Sequence, residues 1–391
     1  MPTLSILADE NIPLVRELFR SMGDVRVVPG EAISGDGLES VDVLLVRSVT
    51  QVDADLLAKS AVRFVGSATT GMDHIDTAYL RHRGIGWASA PGSNAESVVE
   101  YVLSVLLRLA VRRAQGLRGK TIGIIGCGNI GGRLALRVRA LGMNVLENDP
   151  PRALAAEAAG RQHSFLPIDA VLSQADIVTC HVPLGRGEPH RTWHLLGPEE
   201  LEALAPGSWL VNASRGPVVD NEALLRALLR GDGRPDAVAL DVWENEPAPC
   251  AELVARVDVA TPHIAGYSYE GKIAGTLMLL EALAHHIGIP MPPPSAAVDS
   301  SELLVGAPDP TLEETDWLHH LVCRMYDVAA DDRRMRAYRA AGADMPTDHF
   351  TLLRRTYPAR RTFGAYRLRE AQIPARYRIP AAEGIGIRVV G

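Results

Sequence analysis

Cysteine is scarce in this 391-residue chain: Cys127, Cys180, Cys250 and Cys323 stand far apart and form no CxxC pair. Neither a structural zinc site nor a disulfide framework is suggested by that spacing. Long apolar runs are also missing. No stretch reaches the roughly eighteen uninterrupted apolar residues that a membrane-crossing helix needs, and the opening MPTLSILADENIPLVRELF lacks a basic segment followed by an apolar core. A cytoplasmic protein without a membrane partner is expected. Histidine is present, but the adjacent pairs His285 with His286 and His319 with His320 have no Cys or carboxylate at ligand spacing, so no metal is expected. Lysine is absent from residues 331–391, which hold thirteen Arg and six acidic residues; that stretch is +7 in a chain of net charge −7. Arginines interleaved with Tyr338, Tyr357 and Tyr366 admit a nucleic-acid reading. A surface that meets an acidic partner subunit or collects a phosphorylated metabolite is the plainer reading, and no nucleic-acid partner is expected.

What is present is apolar material for two or three globular domains, 47% hydrophobic against 22% charged. Across residues 1–95, β-like runs (SILA, VRVV, VDVLLVRS, VRFVGSA, GIGWASA) alternate with helical ones at 13–22 and 77–83, the pattern of a parallel α/β sheet. A long apolar helix, ESVVEYVLSVLLRLAVRR, capped by Ser93 or Asn94, leads to a second alternation from Thr121 to about Pro262. Its six strands, TIGII, NVLEN, DIVTCHV, SWLVNAS, AVALDV and VDVAT, match a full dinucleotide-binding sheet. A further apolar helix spans 271–287, and the proline-rich IPMPPPSAAVDSSELLVGAPDP after it reads as a linker.

The first turn of the second alternation carries a dinucleotide fingerprint, IIGCGNIGG. Gly126 permits a tight turn, Gly128 lets the backbone approach a pyrophosphate, and Gly131 lets the helix pack closely on its strand. Asn129 and Ile130 lie where the helix N-terminus faces the anion. Asp149, past the next strand, suits the ribose hydroxyls of NAD and would repel the extra phosphate of NADP; Glu147 competes for that role. Further on, Arg215, Glu246 and His263 each follow a strand-like run, in VNASRGPVVD, ALDVWENEP and TPHIAGYS. A guanidinium clamps a carboxylate through two parallel hydrogen bonds, and an imidazole backed by a carboxylate takes a hydroxyl proton near neutral pH. Taken singly, an arginine after a strand is often only a surface charge. The ordered trio suits oxidation of a 2-hydroxy acid.

With RSVT, TGMDHID, the glycine turn, RGPVVD, DVWENEP and PHIAG in order, residues 1–287 resemble the D-isomer-specific 2-hydroxyacid dehydrogenases. The phrases LADENIP, LLVRSVT, NDPP and HIAGYSYEGKIAGT, with the arginine-rich extension, resemble one branch of that family over nearly the whole chain. The resemblance implies an NAD-dependent oxidoreductase for a phosphorylated 2-hydroxy acid. His263 takes the hydroxyl proton, Glu246 orients the ring, and Arg215 holds the carboxylate and polarises C2–O. It also implies that Asp241 meets the nicotinamide carboxamide, that Gly266 lets the chain pass close to the ring, and that Ala213 and Val182 touch NAD. Ser48, Ser67 and Tyr267 become substrate contacts; Val182 and Ser67 stand where relatives can carry Thr. Arg47 is a candidate for the phosphate, joined by arginines such as Arg354.

The expected architecture is two Rossmann-like parallel-sheet domains with a cleft between them, plus a C-terminal α+β dimerisation domain. Residues 1–95, completed by 268–290, form the substrate-binding domain and 96–267 the NAD-binding domain; 291–310 are the linker and 311–391 the dimerisation domain of a homodimer. Two alternatives remain: a phosphoglycerate, glycerate or lactate dehydrogenase using the same trio, and an NAD-sensing binding module on the same fold.

Overall fold

The computed structural model describes residues 4–293, 297–337 and 348–391, so Tyr338 lies outside the described residues. Contacts divide the chain into two compact units, Met1–Ala95 with Tyr267–Ser301, and Glu96–Gly266 with Glu302–Gly391.

The first unit is built on strands β1 (Leu4–Asp9), β2 (Gly23–Val28), β3 (Val43–Val46), β4 (Phe64–Ser67) and β5 (Gly86–Ala88), in the spatial order β2-β1-β3-β4-β5. Every pairing is parallel. The period of two sorts the side chains by face. Ile6, Ala8, Val43, Leu45 and Phe64 pack with Leu18 and Phe19 of helix Val15–Phe19 and with Leu279, Leu280 and Leu283 of helix Tyr269–His286. Leu7, Leu44, Val46 and Val65 face the other way, onto Leu57 and Leu80. Each such large side chain, fully removed from water, contributes about 1.5–3 kcal/mol. Both faces are therefore covered, which is why β3 reads as an unbroken apolar run and β4 is buried at every position rather than at alternate ones.

In the second unit, β6 (Thr121–Ile125), β7 (Asn144–Asn148), β8 (Ile177–Cys180), β9 (Trp209–Asn212), β10 (Ala237–Leu240) and β11 (Val259–Ala260) run in the order β11-β10-β9-β8-β6-β7. All are parallel. An isolated bridge from Glu147 to Phe165 continues past β7, a vestigial strand too short for periodicity to reveal. Strand order reverses around β6, where a doubly wound sheet opens its ligand crevice. Because all strands point one way, the segments after β6 to β11 share one edge of this sheet.

Residues from Glu302 onward pack in this same unit. They form β12 (Leu303–Leu304), β13 (Tyr366–Arg369) and β14 (Arg388–Val390), a three-stranded parallel sheet, with helices Glu314–Cys323, Val328–Met335 and His349–Arg355. Met335 and Phe350 join Leu240, Leu253, Val254 and Ala260 in one apolar cluster. Several of the tail's arginines are ion-paired, among them Arg336 to Asp332 (2.7 Å), Arg334 to Asp331 (2.6 Å), Arg378 to Glu370 (2.8 Å), and Arg367 to Glu302; of these four acidic partners only Glu302 lies outside the +7 stretch and offsets its excess.

Candidate active site

The glycine turn after β6 is shaped by three different constraints. Gly126 has φ +89°, and a Cβ there would lie 2.7 Å from the His181 carbonyl oxygen. A Cβ on Gly131 would lie 2.0 Å from the Gly126 carbonyl oxygen, so only glycine lets helix Gly131–Ala140 sit this close to its strand. A Cβ on Gly128 would meet nothing within 4 Å. The backbone N–H groups of Asn129 and Ile130 have no acceptor among the described residues. Open space beside unpaired donors at a helix N-terminus fits a pyrophosphate. Burial, then the charges of Glu147 and Asp149, push the Cys127 thiol up to about 12, leaving an inert small side chain in the turn.

Asp149 follows β7 and accepts from the N–H of Cys127 (2.9 Å) and from the N–H of Arg152 (3.1 Å), so it locks the turn to the next helix while standing at the ligand edge. Glu147, the competing candidate, is paired with Arg139 at 3.0 Å. Half-buried Val182 follows β8 beside Gly126, and buried Ala213 follows β9.

Arg215 follows Ala213 on a turn that Asn212 organises: its amide donates to the Arg215 carbonyl (2.9 Å) and its oxygen accepts from Ser214 N–H (3.1 Å) and hydroxyl (2.8 Å). The next residue is Gly216, where a Cβ would fall 1.9 Å from the Trp243 carbonyl oxygen. That contact lays the Arg215 turn directly against the turn carrying Glu246. Glu246 Oε1 accepts from Trp243 N–H (2.9 Å), and Oε2 accepts from Nδ1–H of His263 (2.7 Å). Burial alone would raise the Glu246 pKa. The charge and hydrogen bond of His263, the Trp243 N–H and the charge of Arg354 outweigh it, and the net effect is a lowered value. Glu246 is thus held ionised and can only accept from Nδ1–H, so in the neutral form of His263 the lone pair falls on Nε2.

His263 sits in the left-handed region at φ +57°, a conformation that costs a non-glycine residue on the order of 1–3 kcal/mol. Asp241, 1% exposed, holds it there. The Asp241 carbonyl accepts from His263 N–H (2.7 Å), and its carboxylate accepts from Ile264 N–H (2.8 Å), Ala265 N–H (2.9 Å) and the Thr261 hydroxyl (2.7 Å). In this structure Asp241, expected to meet nicotinamide, directs its bonds to the His263 loop. Gly266 closes that loop.

In the first unit, Arg47 and Ser48 follow β3, Ser67 ends β4, and Tyr267 precedes helix Tyr269–His286. Ser48 is exposed, whereas Ser67 is fully buried, its hydroxyl between Thr69 Oγ1 (2.7 Å) and His74 Nε2 (2.9 Å). These two contacts make Ser67 a residue that orders the loop after β4. Lys272, which sequence reasoning passed over, has its ammonium 4.6 Å from the centre of the Tyr267 ring. Although its side chain reaches solvent, its pKa is lowered, first by desolvation and then by the charge of Arg47. Neither cation has a carboxylate partner among the described residues.

One further cluster was not anticipated: His194, Asp220 and Glu244 lie together, with ligand atoms within 4.8 Å of one another. Its geometry suits hydrogen bonding, because the two ring nitrogens of His194 face different carboxylates, Nε2 towards Glu244 (2.7 Å) and Nδ1 towards Asp220 (3.6 Å).

Comparison with known proteins agrees with this geometry. The family description "D-isomer specific 2-hydroxyacid dehydrogenase, NAD binding domain" matches residues 107–265, and a domain of unknown function matches 309–377. A solved putative D-isomer specific 2-hydroxyacid dehydrogenase from Polaromonas is 25% identical, with a TM-score of 0.61, over 74% of this chain and 98% of that one. A D-lactate dehydrogenase from Aquifex aeolicus, complexed with NAD and lactic acid, shares the fold at 24% identity and a TM-score of 0.59, over 73% and 95% of the two chains. Sheet order and matched region place the chain among NAD-dependent oxidoreductases. Similarity at full length is more particular: 49% identity to erythronate-4-phosphate dehydrogenase of Salinibacter ruber over 100% of both chains, and 46% to that of Pectobacterium carotovorum over 93% of each. The chain belongs to the erythronate-4-phosphate dehydrogenases, a branch of the D-isomer-specific 2-hydroxyacid dehydrogenase family.

Proposed function

We propose that the chain oxidises 4-phospho-D-erythronate at C2 to 3-hydroxy-2-oxo-4-phosphooxybutanoate with NAD, a step in the synthesis of pyridoxal 5'-phosphate. The observation that carries this reading is the 2.7 Å bond from His263 to Glu246, beside the Arg215 turn. Nε2 of His263 accepts the C2 hydroxyl proton while Nδ1–H stays bonded to Glu246, whose negative charge stabilises the imidazolium. Arg215 binds the substrate carboxylate and draws electron density from the C2 oxygen. Gly126, Gly128, Asn129, Ile130, Gly131 and Asp149 would hold NAD, with Val182, Ala213, Asp241 and Gly266 as further cofactor contacts, and the cofactor would supply the hydride acceptor.

A phosphorylated substrate is favoured over lactate or glycerate by Arg47 and Lys272, two neighbouring cations whose repulsion a doubly charged phosphate relieves. Ser48, Tyr267 and, through its loop, Ser67 complete the substrate contacts. The test is turnover of 4-phospho-D-erythronate, 3-phosphoglycerate and D-lactate in parallel, with NAD and 2-oxoglutarate as hydride sink. Preference for phosphoerythronate is expected; preference for another acid overturns the substrate, and silence with all three favours a binding module.

The same reading includes a cytoplasmic homodimer formed through the C-terminal extension. Leu304, Leu352 and Ile379 are exposed apolar side chains on that extension, which pairing with a second copy would remove from water. No helix among the described residues is long and apolar enough to cross a membrane. Sedimentation equilibrium of the full chain tests the assembly, and a monomer at micromolar concentration would contradict it.

A further inference from the structure

The loop carrying His263 is gripped from two sides. Asp241 holds it from within the sheet, as described. The opposite grip comes from the C-terminal extension, far away in sequence. Asp332 Oδ1 accepts from the N–H of Ala260, three residues before His263, at 2.8 Å. Arg336, fixed to that same oxygen (2.7 Å), donates to the carbonyls of Val254 and Val257 (2.8 Å to the latter) just ahead of β11. Arg360 donates to the carbonyl of Ala265, two residues after His263, at 3.2 Å, and with the same nitrogen to Ser97 in helix Ala95–Arg112 at 2.6 Å.

Arg360 is itself rigidly set. Its side chain is 4% exposed, its charge lies 3.8 Å from buried Glu100, and its guanidinium sits 4.1 Å from the centre of the Tyr326 ring. Glu100 accepts from the N–H of Phe363 at 2.6 Å, tying the extension to the helix. The next residue, Tyr101, donates to Thr261 Oγ1 (2.8 Å), which donates to Asp241. Helix Ala95–Arg112, to which the extension is tied, therefore meets the Asp241 grip at Thr261, and His263, in an unfavourable backbone conformation, lies between the points the extension fixes at Ala260 and Ala265. Such a conformation persists only where the surroundings over-determine it.

We propose that the C-terminal extension positions the general base, with Arg360 as the positioning residue that holds the far side of the His263 loop and Asp332 with Arg336 holding the near side. This deepens the function proposed above and rests on His263 being the proton acceptor. Arg360 touches neither substrate nor cofactor in this role; it acts through the placement of Nε2.

The test uses the full-length chain and Arg360→Lys, which keeps a charge for Glu100 but cannot reproduce the guanidinium's contacts. Misplacing a base by an ångström or less costs about 10- to 100-fold in rate. The expected result is a kcat lowered by about that factor, with KM and NAD affinity, the latter from cofactor titration, within about threefold of wild type. A double-mutant cycle separates positioning from general destabilisation. With His263→Asn already present, adding Arg360→Lys should change the residual rate by less than about twofold. An equal loss in both backgrounds overturns the proposal, as does an unchanged kcat in a folded Arg360→Lys protein. Should that variant not fold, Arg336→Lys at the more exposed near side decides by the same cycle, with a kcat loss of about threefold expected and none overturning the proposal. Wild-type turnover of 4-phospho-D-erythronate in the same assay tests the substrate reading separately: an active wild type with unaffected variants removes only the positioning role.

Discussion

Two histidine–carboxylate pairs draw their carboxylates, Glu244 and Glu246, from positions two residues apart on the turn after β10. His263 donates to Glu246 and His194 bonds Glu244, each at 2.7 Å. Both histidines have left-handed backbones, at φ +57° and +50°, and their side chains are equally exposed, 31% and 32%. Neither exposure nor the carboxylate partner distinguishes them. The difference lies in the second nitrogen. Nδ1 of His194 is closed off by Asp220, the cap of helix Asn221–Arg230, whereas Nε2 of His263 has no partner among the described residues. A general base needs a lone pair that substrate can reach; a histidine with carboxylates at both ends serves as a strut between turns.

The sharpest way to break this comparison is to remove the open histidine. His263→Ala should lower kcat by roughly 100- to 10,000-fold while cofactor titration shows NAD binding unchanged; a matching collapse of NAD affinity would remove His263 from the role of base. Next in size, Arg215→Lys keeps the charge but loses the planar fork, and kcat/KM for phosphoerythronate should fall about 10- to 100-fold.

A third histidine sharpens the contrast, because it has no carboxylate at all. His181 is buried against the Thr179 hydroxyl (3.0 Å), and burial lowers its pKa to about 3. The folded state therefore refuses a proton that the unfolded chain accepts below its ordinary pKa. Stability should be complete above that pKa and fall by about 1.4 kcal/mol per pH unit as acidification continues towards the folded value. Melting curves between pH 7 and 5 should show His181→Gln losing part of that slope; an identical slope would place the acid sensitivity elsewhere. Smallest is His194→Gln, which should cost about 1 kcal/mol of stability in a partly exposed pair and leave kcat within about twofold, measured by denaturant melts and steady-state rates. A large kcat loss there would end the distinction between strut and base.

These contrasts also mark what a linear chain reveals. Gly126, Gly128 and Gly131 were readable because a strand, a turn and a helix meet within a few residues, so local chemistry dictates all three. Arg215, Glu246 and His263 were readable from their phrases, and their order followed from parallel strands ending at one edge. His194 was not, since its partners lie across two other turns. The burial of Ser67 and the reach of Arg360 to Ala265 depend on packing between segments far apart in sequence, and no periodicity records that. The tail's arginines were visible as a charge excess, but their acidic partners became apparent only once the chain was folded.

The bond from Ala260 to Asp332 has a consequence for the integrity of the chain in a crowded cell. β11 is the terminal strand of its sheet and pairs with β10 alone. Its outward N–H would otherwise be an open template for pairing with a foreign strand. Asp332 occupies it, while Met335 and Phe350 cover the neighbouring apolar surface. A protease cut or premature stop ahead of Glu302 would bare a sticky edge, and the product would be prone to clump before it could fail as an enzyme.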